Sequence, residues 1–545
     1  MIKIRSLSPD IVMTGLVLIF VLGPIAAGQQ NLMPHLQKQG DATQLVVDGK
    51  PFLMLAGELG NSAASSVDNM KPIWPRLAEC NLNTVLMPVY WDLIEPQEGK
   101  FDFTLVDDLI KDARRQNLRL VLLWFASWKN SMACYAPYWV KADYKRFPRA
   151  QDAAGKGLEI LSPFSESNRD ADTRAFVALM RHIRKVDGDR RTVIMVQVEN
   201  EVGMIPDARD HCALANEQFF DKPVPRELID YLQKHKDSLI PEFNDTWKAN
   251  GFKTSGTWTE IFGEGVNTEE IFMAWFYAGY IDHVAAAGKA EYPLPMFVNA
   301  ALIRPGYKPG QYPSAGPLPH LMDIWRAGAP HIDFLAPDIY FPNFVEWIGK
   351  FDRAGNPVFI PEVGRGSENP ANAFYAIGWH NAMGFSPFAI ESFVKPDSEL
   401  ARAYDVLSQL APLILENQGK GTITGVLVDS NNPTKQIRLG DYKLNVKLDA
   451  GWGKPVTPGM LAGSIIISVG PDEYIIAGKS QVITFEPNSA GDPIAGIASI
   501  QRGHFVKGRW VTDLYLNGDE DHQGRHLRLS PDGYDIQRIK LYRYR

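Results

Sequence analysis

Cysteine is scarce in this 545-residue chain: Cys80, Cys134 and Cys212 are the whole supply. An odd number with no CxxC spacing excludes a disulfide framework and a cysteine zinc site, and leaves room for one disulfide at most. Histidine is sparse too, at 11 residues, and none falls in HExxH or a similar ligand spacing. The expectation is therefore a chemistry without metal or cofactor. Positive charge is also in deficit. With 56 Lys and Arg against 63 Asp and Glu, the net charge is -7, and no basic block offers a footprint for nucleic acid. Long apolar runs are missing as well. The stretch from Ile11 to Leu22 is too short for a comfortable bilayer span. It follows Lys3 and Arg5 and precedes Pro24 and Ala26-Ala27-Gly28, the order of a secretory signal, so residues 1–28 are expected to be a cleaved leader, with a short anchor as the alternative. The rest is expected to work clear of the membrane, in the periplasm or secreted.

What is present is ample core material. Hydrophobic residues make up 45% and charged residues 22%, a globular profile with room for more than one domain. Aromatics reach 11%, with 13 Trp, and aromatic faces stack on sugar rings as well as filling cores. From Phe52 onward, apolar β-branched runs alternate with amphipathic stretches. The strand-like runs are Phe52–Glu58, Asn83–Trp91, Leu118–Phe125, Val193–Gly203, Pro293–Asn299, Ile332–Tyr340, Pro357–Gly364 and Gly384–Glu391. Helical patterns near Met70–Cys80, Leu105–Gln116, Thr173–Lys185 and Thr268–Gly288 fall between them. Eight strands suit a (β/α)8 TIM barrel over residues 29–418. An open doubly wound sheet is the rival, disfavoured because no GxGxxG follows the first strand. After Gly419 short alternating strands with frequent turn residues predict an all-β sandwich over residues 419–545. Its expected role is stability or assembly, with sugar binding as a lesser option. A homo-oligomer is compatible with all of this.

Polar residues stand at nearly every strand's carboxyl end, the face where barrels bind ligands: Glu58, Asp92, Asn200, Glu201, Asn299, Asp338, Glu362 and Glu391. Val193 to Gly203 carries the sharpest signal, an apolar strand ending in Glu199-Asn200-Glu201. Counted in order, Glu201 closes the fourth strand and Glu362 the seventh, so both rise toward one mouth. Strand parity puts Gln197, Glu199 and Glu201 on one side and sends Asn200 to the other, unless the chain bulges there. Paired carboxyls are what glycoside hydrolysis needs, one protonated to release the leaving group and one ionised to attack. Trp128 and Asn130, following the third strand, are candidates for stacking on a sugar and bonding a hydroxyl. Asn299, Tyr340 and Glu391 join them as strand-end candidates, as does Glu58. Glu95 suits a cap on the loop before Gly99.

Leu82-Asn83-Thr84-Val85, the run Glu95-Pro96-Gln97-Glu98-Gly99-Lys100-Phe101-Asp102-Phe103, and Gln197-Val198-Glu199-Asn200-Glu201-Val202-Gly203 together resemble the β-galactosidases of glycoside hydrolase family 35. The resemblance implies a clan A barrel with its acid/base after strand four and its nucleophile after strand seven. Glu201 then matches the acid/base, Asn200 the residue contacting the sugar 2-hydroxyl, and Glu362 the nucleophile. Two departures stand out: Ile94-Glu95-Pro96 replaces His-Glu-Pro, and Leu123 to Ser131 replaces Arg-Pro-Gly-Pro-Tyr. The bacterial subgroup this resembles includes enzymes that trim galactose from xyloglucan side chains. The expectation is a retaining exo-β-galactosidase acting on oligosaccharides. The alternatives are another clan A glycosidase, such as a β-glucanase or mannanase, and a catalytically dead carbohydrate-binding protein.

Overall fold

The computed structural model describes residues 32–545, so the leader expected at residues 1–28 lies outside the described residues. Eight parallel strands close into a barrel: Met54–Glu58, Thr84–Tyr90, Arg119–Lys129, Val193–Asn200, Met296–Ala301, Phe334–Ile339, Ile360–Val363 and Gly384–Pro387. The eighth bonds back to the first. These are the eight apolar runs of the sequence. They read as unbroken hydrophobic stretches because helices cover one face of each strand and packed side chains fill the other.

The helix Thr104–Arg115 shows how the outer layer forms. Its buried positions Val106, Leu109, Ile110 and Ala113 make a single stripe that faces the strands. The helix expected near Met70–Cys80 is instead two short ones, Val67–Met70 and Ile73–Glu79. Pro72 between them has no N–H to donate to the preceding turn, so the helix cannot run through. A small antiparallel sheet, His35–Gln39, Ala42–Val47 and Lys50–Phe52, precedes the barrel and places Leu45 and Val47 in its core. The Gln39 and Gln44 side-chain amides donate to the Leu415 carbonyl and tie this sheet to the helix Glu399–Asn417.

Beyond that helix, antiparallel strands from Ile423 to Tyr544 form a six-stranded and a four-stranded sheet. They enclose an apolar cluster of their own, including Val426, Leu444, Ile466, Tyr474 and Ile539. The helix Asn369–Trp379, which follows the seventh barrel strand, has ten buried residues, most of them apolar. A helix of that kind must be covered on every side. The barrel covers one side and the strands Ile423–Asp429 and Leu461–Gly470 cover another. Approach is so close that a Cβ on Gly463 would lie 2.4 Å from the Ala371 carbonyl oxygen, and one on Gly425 would lie 2.7 Å from that of Tyr375.

Candidate active site

The fourth strand loses its regular pleat where the acids begin. Glu199 and Glu201 both have left-handed backbone, with φ of 62° and 45°. Such a conformation costs a side-chain-bearing residue about 1–2 kcal/mol, and strain of this kind is found where a site demands it. The neighbouring third strand arches too: its pairing with the fourth skips from Trp124–Val198 to Lys129–Asn200. Between these pairs the third strand carries four residues and the fourth carries one, so the irregularity lies mainly in the third strand. The arch is held from below. Glu199 accepts the backbone N–H of Ser127 at 3.2 Å and of Trp128 at 2.7 Å. Asp172, from the helix Glu166–Asp187, accepts the Trp124 indole N–H at 2.9 Å and the Ser127 hydroxyl at 2.6 Å. Burial first, then the charge of Asp172, holds the Glu199 carboxyl well above the usual range, so this buried pair shares a proton.

Above the arch four carboxyls meet one ammonium. Glu201 accepts a hydrogen bond from the Asn130 amide, and its Oε2 lies 3.9 Å from Lys129 Nζ. Its backbone N–H donates to Asn299 Oδ1 at 3.0 Å, and the Asn299 amide donates to Asp338 at 2.6 Å. Burial, and after it the charge of Glu362, pushes the Glu201 carboxyl up to about 7, with Lys129 pulling the other way. Glu362 accepts from the Tyr340 hydroxyl. Its second oxygen meets no N–H or hydroxyl donor among the described residues, and neither oxygen of Glu58 does. The Glu58 carboxyl is instead raised well above the usual carboxylate range, by burial and then by the charge of Glu362. Asp338 is likewise raised well above its ordinary value by burial, then by the charges of Glu362, Glu201 and Glu58. Asn200 is fully buried, and both its amide atoms lack a partner. A cavity of about 330 Å³ is lined by Asn130, Glu201, Asp338 and Tyr340.

The structure thus gathers Glu201, Glu362, Glu58, Asn130, Asn299 and Tyr340 into one linked cluster, and leaves Asn200 at the same strand end as Glu201. Trp128 differs from expectation. Its ring is wholly buried, edge-on to Tyr277 and Tyr280, and its indole N–H donates to the Leu161 carbonyl, so no face is free to stack on a sugar. The arch turns this side chain inward and presents Lys129 and Asn130 instead. Glu391 lies in a short turn after the eighth strand and accepts the Gly60 N–H at 3.2 Å, while its carbonyl accepts from Arg76. It fastens the loop after the first strand and makes no hydrogen bond to the cluster. Glu95 caps its loop, accepting the Gly99 N–H at 2.7 Å. Sequence reasoning missed Lys129, whose only signal is its place before Asn130, and left Asp338 as an unassigned strand-end acid. Among the described residues, no group of three or more His, Cys, Asp or Glu is placed to hold a metal ion.

A closed (β/α)8 barrel whose fourth and seventh strands end in carboxyls that meet in one cluster has the build of a glycoside hydrolase. Comparison with known proteins narrows the class. Residues 67–262 match the model of glycoside hydrolase family 42, described as β-galactosidase, and residues 400–528 match a family described as a domain of unknown function, DUF5597. A β-galactosidase of Xanthomonas manihotis is 30% identical over 200 residues, 35% of this chain and 30% of that one. β-Galactosidase 11 of Arabidopsis thaliana is 26% identical over 172 residues, 30% of this chain and 19% of the other. The chain thus spans less than a third of the length of these relatives. Among solved structures, the β-galactosidase from Bacillus circulans sp. alkalophilus is 11% identical and aligns over 89% of this chain and 99% of its own, with a TM-score of 0.46. The likeness to β-galactosidases agrees with the sequence reading. The family model that matches is that of family 42, where the motifs had suggested family 35. Glu201 falls inside the matched segment and Glu362 outside it.

Proposed function

We propose that this protein is a retaining exo-β-galactosidase, active outside the cytoplasm, that removes terminal non-reducing β-D-galactosyl units from oligosaccharides such as plant xyloglucan side chains. The observation that carries the reading is the meeting of Glu201 and Glu362 from the ends of the fourth and seventh strands, close enough that the charge of Glu362 raises the Glu201 carboxyl. Glu201 sits between neutral and charged forms near pH 7, the poise a group needs to give a proton and later take one back. Glu362 is lined up by Tyr340. In the first step Glu201 protonates the glycosidic oxygen while the Glu362 carboxylate attacks the anomeric carbon; the leaving group departs and a galactosyl ester forms on Glu362. In the second step Glu201 takes a proton from water, which attacks the same carbon and frees Glu362. Retention requires the two carboxyls to stand ~5 Å apart. The exo mode is supported by the cavity at Glu201, about 330 Å³, which suits one sugar ring. Asn200 is assigned to the 2-hydroxyl, where an idle buried amide gains a partner as the transition state forms. The affinity with family 35 rests on the three motifs that carry it.

Glu201→Gln and Glu362→Gln are each expected to fold and to lose at least ~10³-fold in kcat on an aryl β-galactoside. Near-wild-type turnover in either variant would remove that residue from its role. Product release followed by NMR should give β-galactose first; α-galactose first would mean inversion.

A further inference from the structure

A second cavity, of about 750 Å³, opens on the same face of the barrel. One wall is the loop after the sixth barrel strand, with Tyr340 and Phe341, and the helix Asn369–Trp379 after the seventh, with Asn372. The other belongs to the C-terminal sheets, with Leu427, Asn432 and Thr434. Tyr340 and Phe341 also line the smaller cavity at Glu201, so the two spaces share a wall. Tyr340 is half exposed, its hydroxyl spent on Glu362 and its ring resting against Gly364.

The lining tells what would fit. Its ionisable groups are Glu346, Glu368, Asp429 and Lys435, three carboxylates to one ammonium. The ammonium of Lys435 is already engaged over the rings of Tyr375 and Trp379. An anionic occupant would meet repulsion there. Amide and hydroxyl groups from Asn372, Asn432 and Thr434 alternate with the faces of Tyr340, Phe341 and Leu427, the mixture that binds a neutral polyol through hydrogen bonds and ring stacking. Asn372 is 4% exposed and makes no side-chain hydrogen bond among the described residues, so its amide is free to bond an occupant of the cavity it lines.

We propose that this cavity is the subsite for the leaving group: it holds the neutral oligosaccharide to which the scissile galactosyl unit is attached, and the C-terminal sheets supply part of the substrate site. The inference rests on the hydrolase reading above and adds to it a place for the aglycone. Volume agrees, since 750 Å³ exceeds what one ring needs. Binding energy gathered there, away from the reacting bond, would favour oligosaccharides over small aryl galactosides.

The experiment uses the full chain, wild type and Thr434→Trp, in which an indole from an exposed strand position fills the cavity, with Asn432→Ala as a second variant. For each, kcat/KM is measured on an aryl β-galactoside and on a galactosylated xyloglucan oligosaccharide, and binding of the degalactosylated oligosaccharide is followed by saturation-transfer NMR. The oligosaccharide-to-aryl ratio of kcat/KM is expected to fall about tenfold in Thr434→Trp, corresponding to about 1.4 kcal/mol, and the NMR signal of wild type to be lost. An unchanged ratio, or equal binding of the degalactosylated probe by wild type and Thr434→Trp, would overturn the subsite. Failure of wild type on both substrates would instead overturn the hydrolase reading, and the NMR comparison would then decide the cavity alone.

Discussion

Four carboxyls gathered in one cluster need not make a site of four negative charges. Burial raises the Glu58 and Asp338 carboxyls well above their ordinary values, and Glu201 is raised to about 7, with Lys129 pulling it the other way. Two consequences can be measured. The Glu201 carboxyl is raised from 4.5 to about 7 in the folded chain, so the folded state binds the extra proton and stability falls as pH rises from about 4.5 through about 7, by roughly 3 kcal/mol. Glu201→Gln lacks this dependence. Its stability relative to wild type should therefore rise between pH 5 and pH 8 in urea unfolding, and a constant difference would contradict the placement of Glu201 in this cluster. Lys129 lowers the proton affinity of Glu201, so Lys129→Met should move the alkaline limb of kcat/KM to higher pH. A limb that stays or moves down would show that the ammonium does not act on the acid. The acids themselves were legible because a carboxyl ending an apolar strand has no structural reason to be there. Lys129 was not, since a lysine after a strand is the commonest kind of surface residue until an arch folds it inward.

At the scale of elements, the eight barrel strands were readable because each is a continuous apolar run bounded by helical pattern. The departures lie where local geometry breaks that simplicity: Pro72 splits one helix, and the arch from Phe125 to Trp128 breaks the alternation that would have told which side chains face inward. No sequence rule reveals that Glu199 will spend both oxygens on two backbone N–H groups of the neighbouring strand. The arch depends on that support and on Asp172, which binds it from the helix outside. Asp172→Ala should leave the buried Trp124 indole N–H without its acceptor and the Ser127 hydroxyl with only Tyr280, cost about 1–3 kcal/mol in urea unfolding, and lower kcat on an aryl galactoside because Lys129 and Asn130 ride on the same arch. A loss below about 1 kcal/mol would mean that packing alone holds the loop.

For the whole molecule, the junction between barrel and sheets turns on glycine. The backbone of Gly463 touches the backbone of Ala371 where no side chain has room. Gly463→Val should force the sheets off the helix Asn369–Trp379, lowering Tm by about 4 °C or more and splitting one calorimetric transition into two. A single transition at the wild-type temperature would show the contact to be loose. The two-part organisation was plain from the change in texture after Gly419, but the intimacy of the junction was not, because a glycine in a strand looks the same whether it serves a bend or a contact.

That junction has a consequence for how such chains can be rearranged. Ten residues of one barrel helix are buried by neighbours on both sides, so a chain ended after Gln418 would offer greasy flanks to water and clump. Barrel and sheets must then be inherited as a pair, and a hybrid exchanging one of them with a distant relative would need a matching helix to go with it.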